Sequence, residues 1–435
     1  ALRLAFPRLT SLDLSCCPHG LIYLEDVGSF DELRCLVLPS SFQLEAGSLG
    51  LLKRCHRLKS LDLSKCRVAP SLVFELLRGL TQLEELRVAS SDAPSGMEQQ
   101  AARPSSAALR ALGVAGMEPI ACALAAPLSL SELRLTSCGP VGAAACSAIR
   151  RLRGLTSLSL ERCHWDGAAE APLLGMLLSL QGLRLLDLSA CPVMSDAVLV
   201  SVAQARRPPP LRALRLSGCT GVTDQGLAQL SSLTSLKELS VANSGVTAAG
   251  ALQLLSRRAG PSLEALDVSD LCRAASDPAG EPEPPGRSAA SSLRSLRFSR
   301  GLQHRSGILS LVIGRRAPLT ALDLTCNELP IDSTLQRLQS SAPGLRGLNL
   351  SESLHLTDRG VLAASGMCRL TALDISHCLG VTDEGLASVG SLPALASLDA
   401  TGCCGIAGLG FAAWASAGPL RAVRLRHTEL TDEGL

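Results

Sequence analysis

One leucine-centred pattern returns along this chain at short, nearly regular steps, and that recurrence limits what the chain can fold into. Leu370-Thr-Ala-Leu373-Asp-Ile375-Ser-His-Cys378 is followed, 25 residues on, by Leu395-Ala-Ser-Leu398-Asp-Ala400-Thr-Gly-Cys403. The same pattern starts at Leu9, Leu33, Leu58, Leu83, Leu109, Leu130, Leu155, Leu183 and Leu211, and again at Leu236, Leu263, Leu293, Leu319, Leu345 and Leu420. Counting the first Leu as position 1, apolar residues fill positions 1, 4 and 6, and position 5 is polar in most units. Alternation of that kind is a strand with one buried face. So short a strand cannot bury its apolar face alone; it must stack on copies of itself.

The second half of each unit reads as a helix. Thr382-Asp383-Glu384-Gly385-Leu386 offers a Thr N-cap and acidic charge in the first turn, and Thr223-Asp224, Thr357-Asp358, Thr431-Asp432 and Ser195-Asp196 repeat the start. In the third unit Leu72, Leu76, Leu77 and Leu80 share one helical face. The expected architecture is an α/β solenoid, a curved horseshoe of about 17 repeats within one domain, 1–435. Parallel strands line its concave face and helices its convex face.

Composition fits a stack of thin layers. Aromatic residues are 2% of the chain, so Leu, Ala and Gly must do the packing. Position 9 holds Cys17, Cys66, Cys138, Cys163, Cys191, Cys219, Cys378 and Cys403, with Asn327, Ser41, Ser91, Ser244, Ser353 and Thr428 in other units. These share a short side chain able to hydrogen-bond backbone groups in the turn leaving the strand. The column reads as a buried structural ladder, and it absorbs eight of the 17 cysteines. Cysteine in this setting points to a reduced, cytoplasmic protein. Cys16-Cys17-Pro18-His19 and Cys403-Cys404 lack a second Cys or His pair at zinc spacing, so neither metal nor cofactor is expected.

The formal charge is +2, from 41 basic and 39 acidic residues, which gives no electrostatic reason for nucleic acid or membrane as the main partner. Basic pairs such as Arg206-Arg207 and Arg257-Arg258 read as solvated charge. Gly402 to Leu420 carries no charged residue across 19 positions, but it keeps the register of the repeat and reads as part of it.

With Leu211 to Leu227 and Leu370 to Leu386 as its best matches, the repeat resembles the cysteine-containing repeat of F-box/leucine-rich-repeat proteins. That resemblance implies a leucine-rich-repeat fold and a non-enzymatic protein–protein interaction scaffold. In the F-box members the repeats hold a substrate, while a preceding F-box recruits the Skp-type adaptor of a cullin (SCF) ubiquitin ligase. The first repeat begins by Leu9, and no F-box lies between it and Ala1. Similar repeats in ciliary and other large assemblies imply a structural subunit as the alternative, localised to the cytoskeleton or cilium. Ligand or pathogen sensing would need a signalling domain elsewhere. The chain starts at Ala1 rather than Met and stops just after a helix-start motif, so both ends read as cut.

The default contact surface of such a stack is the solvent side of its strands. Position 5 there offers Asp187, Asp323, Asp374 and Asp399, and Arg87, Arg134, Arg215 and Arg297; position 3 is mostly small. A polar, shallow face of this kind suits a protein partner or an extended peptide rather than a small-molecule substrate. The bland alternative makes these charges a repeat consensus satisfied by neighbouring strands. Gly113 separates Arg87 from Arg134 and should leave both free. Trp165 should lie on the rim loop after its strand, either as an exposed anchor or tucked under the loop. Trp414, three residues after Phe411, should be core.

Three stretches leave the repeat: Ser91 to Ala108, Arg206 to Pro210, and Cys272 to Ser292, the last reading as a flexible insertion. No catalytic constellation is apparent. Histidines are scattered, and His377 and Cys378 should face opposite ways as strand neighbours. There is no P-loop, dinucleotide turn or His-Glu-x-x-His, so the chain does not read as an enzyme.

Overall fold

A computed structural model describes residues 8–15, 30, 32–38, 43–44, 52, 54–63, 66–68, 80, 82–89, 110–115, 130–138, 141–166, 169–256, 263–271, 292–300, 318–327, 330–414 and 419–434. Cys17, the helical Leu72, Leu76 and Leu77, and the segments 91–108 and 272–291 lie outside the described residues. The chain divides into two compact units, Ala1–Met194 with Val200–Leu214, and Ser195–Leu199 with Arg215–Leu435.

In the first unit each leucine start is followed, two residues on, by a strand. These are β1 (Ser11–Asp13), β2 (Cys35–Val37), β4 (Ser60–Leu63), β6 (Glu85–Ala89), β7 (Ala111–Ala115), β8 (Glu132–Thr136), β9 (Ser157–Ser159) and β10 (Leu185–Asp187). All pair in parallel, with position 4 opposite position 4: Leu36 faces Leu61, Leu61 faces Leu86, and Leu133 faces Leu158. A small second sheet joins β3 (Gln43–Leu44) to β5 (Arg67–Val68). Helices α1 (Ala143–Ile149) and α2 (Glu170–Ser179) pack side by side in succession. Through α3 (Asp196–Ala203) and β11 (Ala213–Arg215) the sequence passes into the second unit.

The second unit repeats the scheme with β12 (Glu238–Ser240), β13 (Ala265–Asp267), β14 (Ser295–Arg297), β15 (Ala321–Asp323), β16 (Gly347–Asn349), β17 (Ala372–Asp374), β18 (Ser397–Asp399) and β19 (Ala422–Arg424). Its helices are α4 (Asp224–Gln229), α5 (Ala248–Ser256), α6 (Asp332–Ser341), α7 (Asp358–Ser365) and α8 (Asp383–Val389). Each unit is a leucine-rich-repeat α/β stack, since one parallel strand per repeat alternates with a returning helix, or after β18 a 3-10 turn (Leu409–Ala413), wherever that half is described.

The core follows from positions 1, 4 and 6. Leu370, Leu373 and Ile375 are buried, as are Leu155, Leu158 and Leu160 in the first unit. Each such leucine contributes about 1.5–3 kcal/mol by leaving water. A strand of three residues therefore survives only because its apolar face is covered by its own helix and by two neighbours. Position 8 carries a second, local demand. Every described position 8 has a left-handed backbone, in Ser137, Arg162, Ala190, Asn243, Asp270, Arg300, Cys326, Glu352, His377 and His427 as well as Gly218 and Gly402. The turn is held from outside: the His377 N–H donates to the Thr401 carbonyl one repeat on (2.7 Å), and the Arg162 N–H to that of Ser189 (2.9 Å).

Helix starts in the second unit are tied across repeats as well. The carboxylate of Asp358, first residue of α7, accepts from the N–H of Thr382 (2.8 Å), its hydroxyl (2.8 Å) and the N–H of Gly385 (3.0 Å), all at the start of α8. Asp196 and Thr223, Asp224 and Thr247, and Asp332 and Thr357 repeat the link. Gly385 is required by it, because a Cβ there would stand 2.5 Å from Asp358 Oδ1. Thr382 meanwhile accepts from the Glu384 N–H, capping its own helix.

Candidate protein-binding face and its supporting columns

Positions 3, 5 and 7 of the strands project away from the core, and the parallel register lines each of them into a column. In the second unit the position 5 column runs Ser240, Asp267, Arg297, Asp323, Asn349, Asp374, Asp399, Arg424. The carboxylates are not chiefly held by neighbouring strands. Each caps its own turn: Asp374 Oδ1 accepts from the Ser376 N–H (3.0 Å) and hydroxyl (2.6 Å), Asp323 from the Thr325 N–H (3.1 Å), and Asp399 from the Thr401 N–H (3.0 Å). Asp187, buried in the first unit, does the same for Ser189 (3.0 Å). Short polar side chains two residues before a turn favour this local closure.

The second oxygen of these carboxylates looks along the face. Asp399 Oδ2 lies 3.5 Å from Arg424, and Asp323 Oδ2 lies 3.8 Å from Arg297. Such exposed pairs contribute about 0–1 kcal/mol. Asp374 and Asp399 stand directly opposite in register, so two like charges meet in mid-face. Arg215 is exposed at the close of β11.

Arg87 and Arg134 depart from the expectation of two free cations. Both are exposed and sit either side of Gly113 in register, yet each is paired within its own strand. Arg87 contacts Glu85 (2.6 Å) and approaches Asp62 (3.7 Å), while Arg134 contacts Glu132 (2.5 Å). Side chains two apart share a strand face, so Glu85 and Glu132 at position 3 were the sequence signal.

Trp165 lies off the strand face, in a bridge to Val141 beyond the strand. It is half-buried, and its indole Nε1 is shut from solvent without a hydrogen-bond partner among the described residues. The exposed-anchor reading therefore does not describe it. Trp414 is also half-buried rather than core. It closes a short 3-10 turn (Leu409–Ala413), stacks edge-on against Phe411 at 5.0 Å, and donates from Nε1 to the Leu386 carbonyl (2.9 Å). His377 is exposed while Cys378 is buried, but strand alternation is not the cause: His377 sits in the left-handed turn.

Behind the face runs the position 9 column. Cys66, Cys138, Cys163, Cys191, Cys219, Cys378 and Cys403 are buried, and none is in a disulfide. The thiols of Cys378, Cys403 and Cys191 donate to the Leu350, Ile375 and Leu160 carbonyls of the preceding repeat, at 3.2, 3.0 and 2.9 Å. Ser353 makes the same bond to Leu324; Ser244, Thr428 and Asn327 turn instead to the position 6 carbonyl of their own repeat. Burial pushes the thiol of Cys378 up to about 12 and those of Cys66 and Cys403 up to about 11. Cys163 is raised as well, first by its hydrogen bond to Cys138 and then by burial. Neutral thiols are hydrogen-bond donors and poor nucleophiles.

The family described as "Leucine Rich repeat" matches residues 367–390, the start of the Leu370 unit and its helix. No curated protein matches the chain. Among solved structures, an internalin (inlF) from Listeria monocytogenes is similar at 16% identity and TM-score 0.40, over 91% of this chain and 88% of that one. A leucine-rich-repeat protein of Leptospira interrogans, LIC12759, is similar at 14% identity and TM-score 0.39, over 99% of this chain and 93% of that one.

Proposed function

We propose that the protein is a scaffold that binds other proteins through the open face of its strands. One observation carries this reading. Repeat after repeat places its apolar positions in the core and presents one small and one polar side chain, in register, to solvent. A floor of small residues such as Ala321, Gly347 and Ala372 lets an extended partner approach the sheet, and the alternating Asp and Arg at position 5 supply orientation. Neutral, buried thiols and carboxylates that close their own turns support binding rather than chemistry as the work of these residues.

The finer reading rests on the cysteine-type repeat: these repeats hold the substrate of a cullin-type ubiquitin ligase in the cytoplasm. Affinity capture with the full chain tests both levels. Ala372→Trp with Arg297→Glu obstructs the face while leaving every turn-closing carboxylate in place, and Arg359→Glu on α7 serves as control. Partners lost with the first variant and kept with the second support the face reading, whereas equal capture by both sinks it. A Skp-type adaptor and cullin among the captured proteins support the ligase reading. Stoichiometric recovery of a large assembly with no adaptor overturns it in favour of a structural subunit.

A further inference from the structure

The overall charge is nearly balanced, but the fold does not spread it evenly. Three consecutive loops of the first unit lead from a helix into the next strand: 150–156, 179–185 and 204–213. They hold seven arginines and no Asp or Glu. Arg150, Arg151 and Arg153 come from the first loop, Arg184 from the second, and Arg206, Arg207 and Arg212 from the third; all are exposed. The loops touch one another. The Arg184 N–H donates to the Thr156 carbonyl (2.8 Å), the Arg212 N–H to that of Arg184 (2.7 Å), and Gln181 reaches the Arg207 carbonyl (3.3 Å). None of the seven side chains forms an ion pair with a described residue.

Helix ends attract cations, which accounts for Arg150 and Arg151 just after α1. That reason does not reach Arg184 and Arg212, which occupy position 2, before their strands. Elsewhere in the molecule the same position shows what its geometry is for. Lys59 meets Glu84 one repeat on at 2.6 Å, and Lys237 meets Glu264 at 2.5 Å. Neighbouring position 2 side chains thus lie within reach of one ion pair. At Arg184 and Arg212 both partners are cations, and the anion is missing.

We propose that this rim is a docking site for an acidic, extended segment of a partner protein, with one of its carboxylates between Arg184 and Arg212. Charge complementarity and the residue type both favour that occupant. All seven cations are Arg, whose planar fork takes a carboxylate bidentately. The loops hold no aromatic residue on which a base could stack. Of their leucines, Leu152, Leu155, Leu180, Leu183 and Leu211 are buried and Leu185 is half-buried in its strand, so no exposed leucine is left to enter a bilayer. Three loops spaced about 4.8 Å apart suit a few residues of peptide and fall short of one turn of duplex DNA, about 34 Å. The surface is firm, since Pro209 in the third loop is buried.

The test uses the full chain and a short, dye-labelled peptide of alternating Glu and Asp, with binding read by fluorescence anisotropy. Affinity should fall about tenfold or more as salt rises from about 50 to about 200 mM. Arg184→Glu should weaken binding by about tenfold and at the same time raise the melting temperature, because the introduced carboxylate then pairs with Arg212 as Glu84 pairs with Lys59. A merely structural role would move both readouts in the same direction. Arg359→Glu should leave binding within about twofold. Unchanged binding by Arg184→Glu, with circular dichroism showing it folded, overturns the proposal. So does tighter binding, lost in that variant, to a short DNA duplex or to vesicles containing phosphatidylserine. Failure here leaves the strand-face reading intact, since Ala372 and Arg297 probe a different surface.

Discussion

In the second unit the strand exits and the helix starts are both tied from one repeat to the next, but by different means. At the strand exit one thiol or hydroxyl meets one carbonyl of the preceding repeat, at Cys378, Cys403 and Ser353, while Ser244, Asn327 and Thr428 fill the same place by bonding within their own repeat. At the helix start one carboxylate collects two or three donors, and a hydroxyl and a glycine of the following repeat are fitted around it. The first column asks only for a small donor, so its chemistry varies. The second needs three residue types in two repeats to agree. Tolerance at the exit and strictness at the start follow from the number of bonds each joint carries, not from its burial.

That contrast can be broken most sharply at Asp358. Replacing it with Ala strands three donors of the next helix and should cost about 3–4 kcal/mol in urea unfolding. Hydrogen exchange should quicken first at the amides of Thr382 and Gly385. A loss under about 1 kcal/mol would mean that the carboxylate column does not tie the repeats. Gly385→Ala should cost about 2–3 kcal/mol by pushing on the same carboxylate, and much of that loss should vanish in the Asp358→Ala background. Purely additive losses would show that the glycine serves its own backbone instead.

The thiol column should yield less. Cys378→Ser keeps a donor and should cost about 1 kcal/mol or less. Its pH signature is distinct. The thiol is pushed up to about 12 in the fold, so the native state holds a proton that the unfolded chain releases near 9. Stability from this group is complete below about 9 and declines as pH rises toward about 12. Thermal melts from about pH 9 upward should show a shallower decline for Cys378→Ser than for the native chain. The smallest effect has the opposite sign: Ala190→Gly should stabilise by about 0.5–1 kcal/mol by relieving a left-handed alanine. A loss there would show that the turn tolerates Ala without strain.

Much of this was legible in the sequence, and the failures have physical reasons. Leu370, Leu373, Ile375 and Cys378 announced their places because burial and hydrogen bonding select residue type. The left-handed turn at position 8 left no such trace. Its geometry is imposed by the neighbouring repeat, and Arg, Glu, His and Ala all submit to it. The link from Asp358 to Gly385 was hidden by distance along the chain, although the recurring Thr-Asp-x-Gly carried both halves. Arg87 and Arg134 are not free, because their nearest anions, Glu85 and Glu132, lie two residues away on the same strand rather than on a neighbouring one. The rim arginines looked scattered because three loops separated by whole repeats supply them.

The turn at position 8 has a practical consequence. At Glu352 and His427 its side chain is exposed, so the occupant there can be exchanged without touching core or ladder. The column is a row of evenly spaced mounting points. Spin labels at Glu352 and His427, three repeats apart, would measure the pitch of the stack directly, about 14 Å if the strands keep their usual spacing. Any bending forced by a bound partner would then register as a change in that one distance.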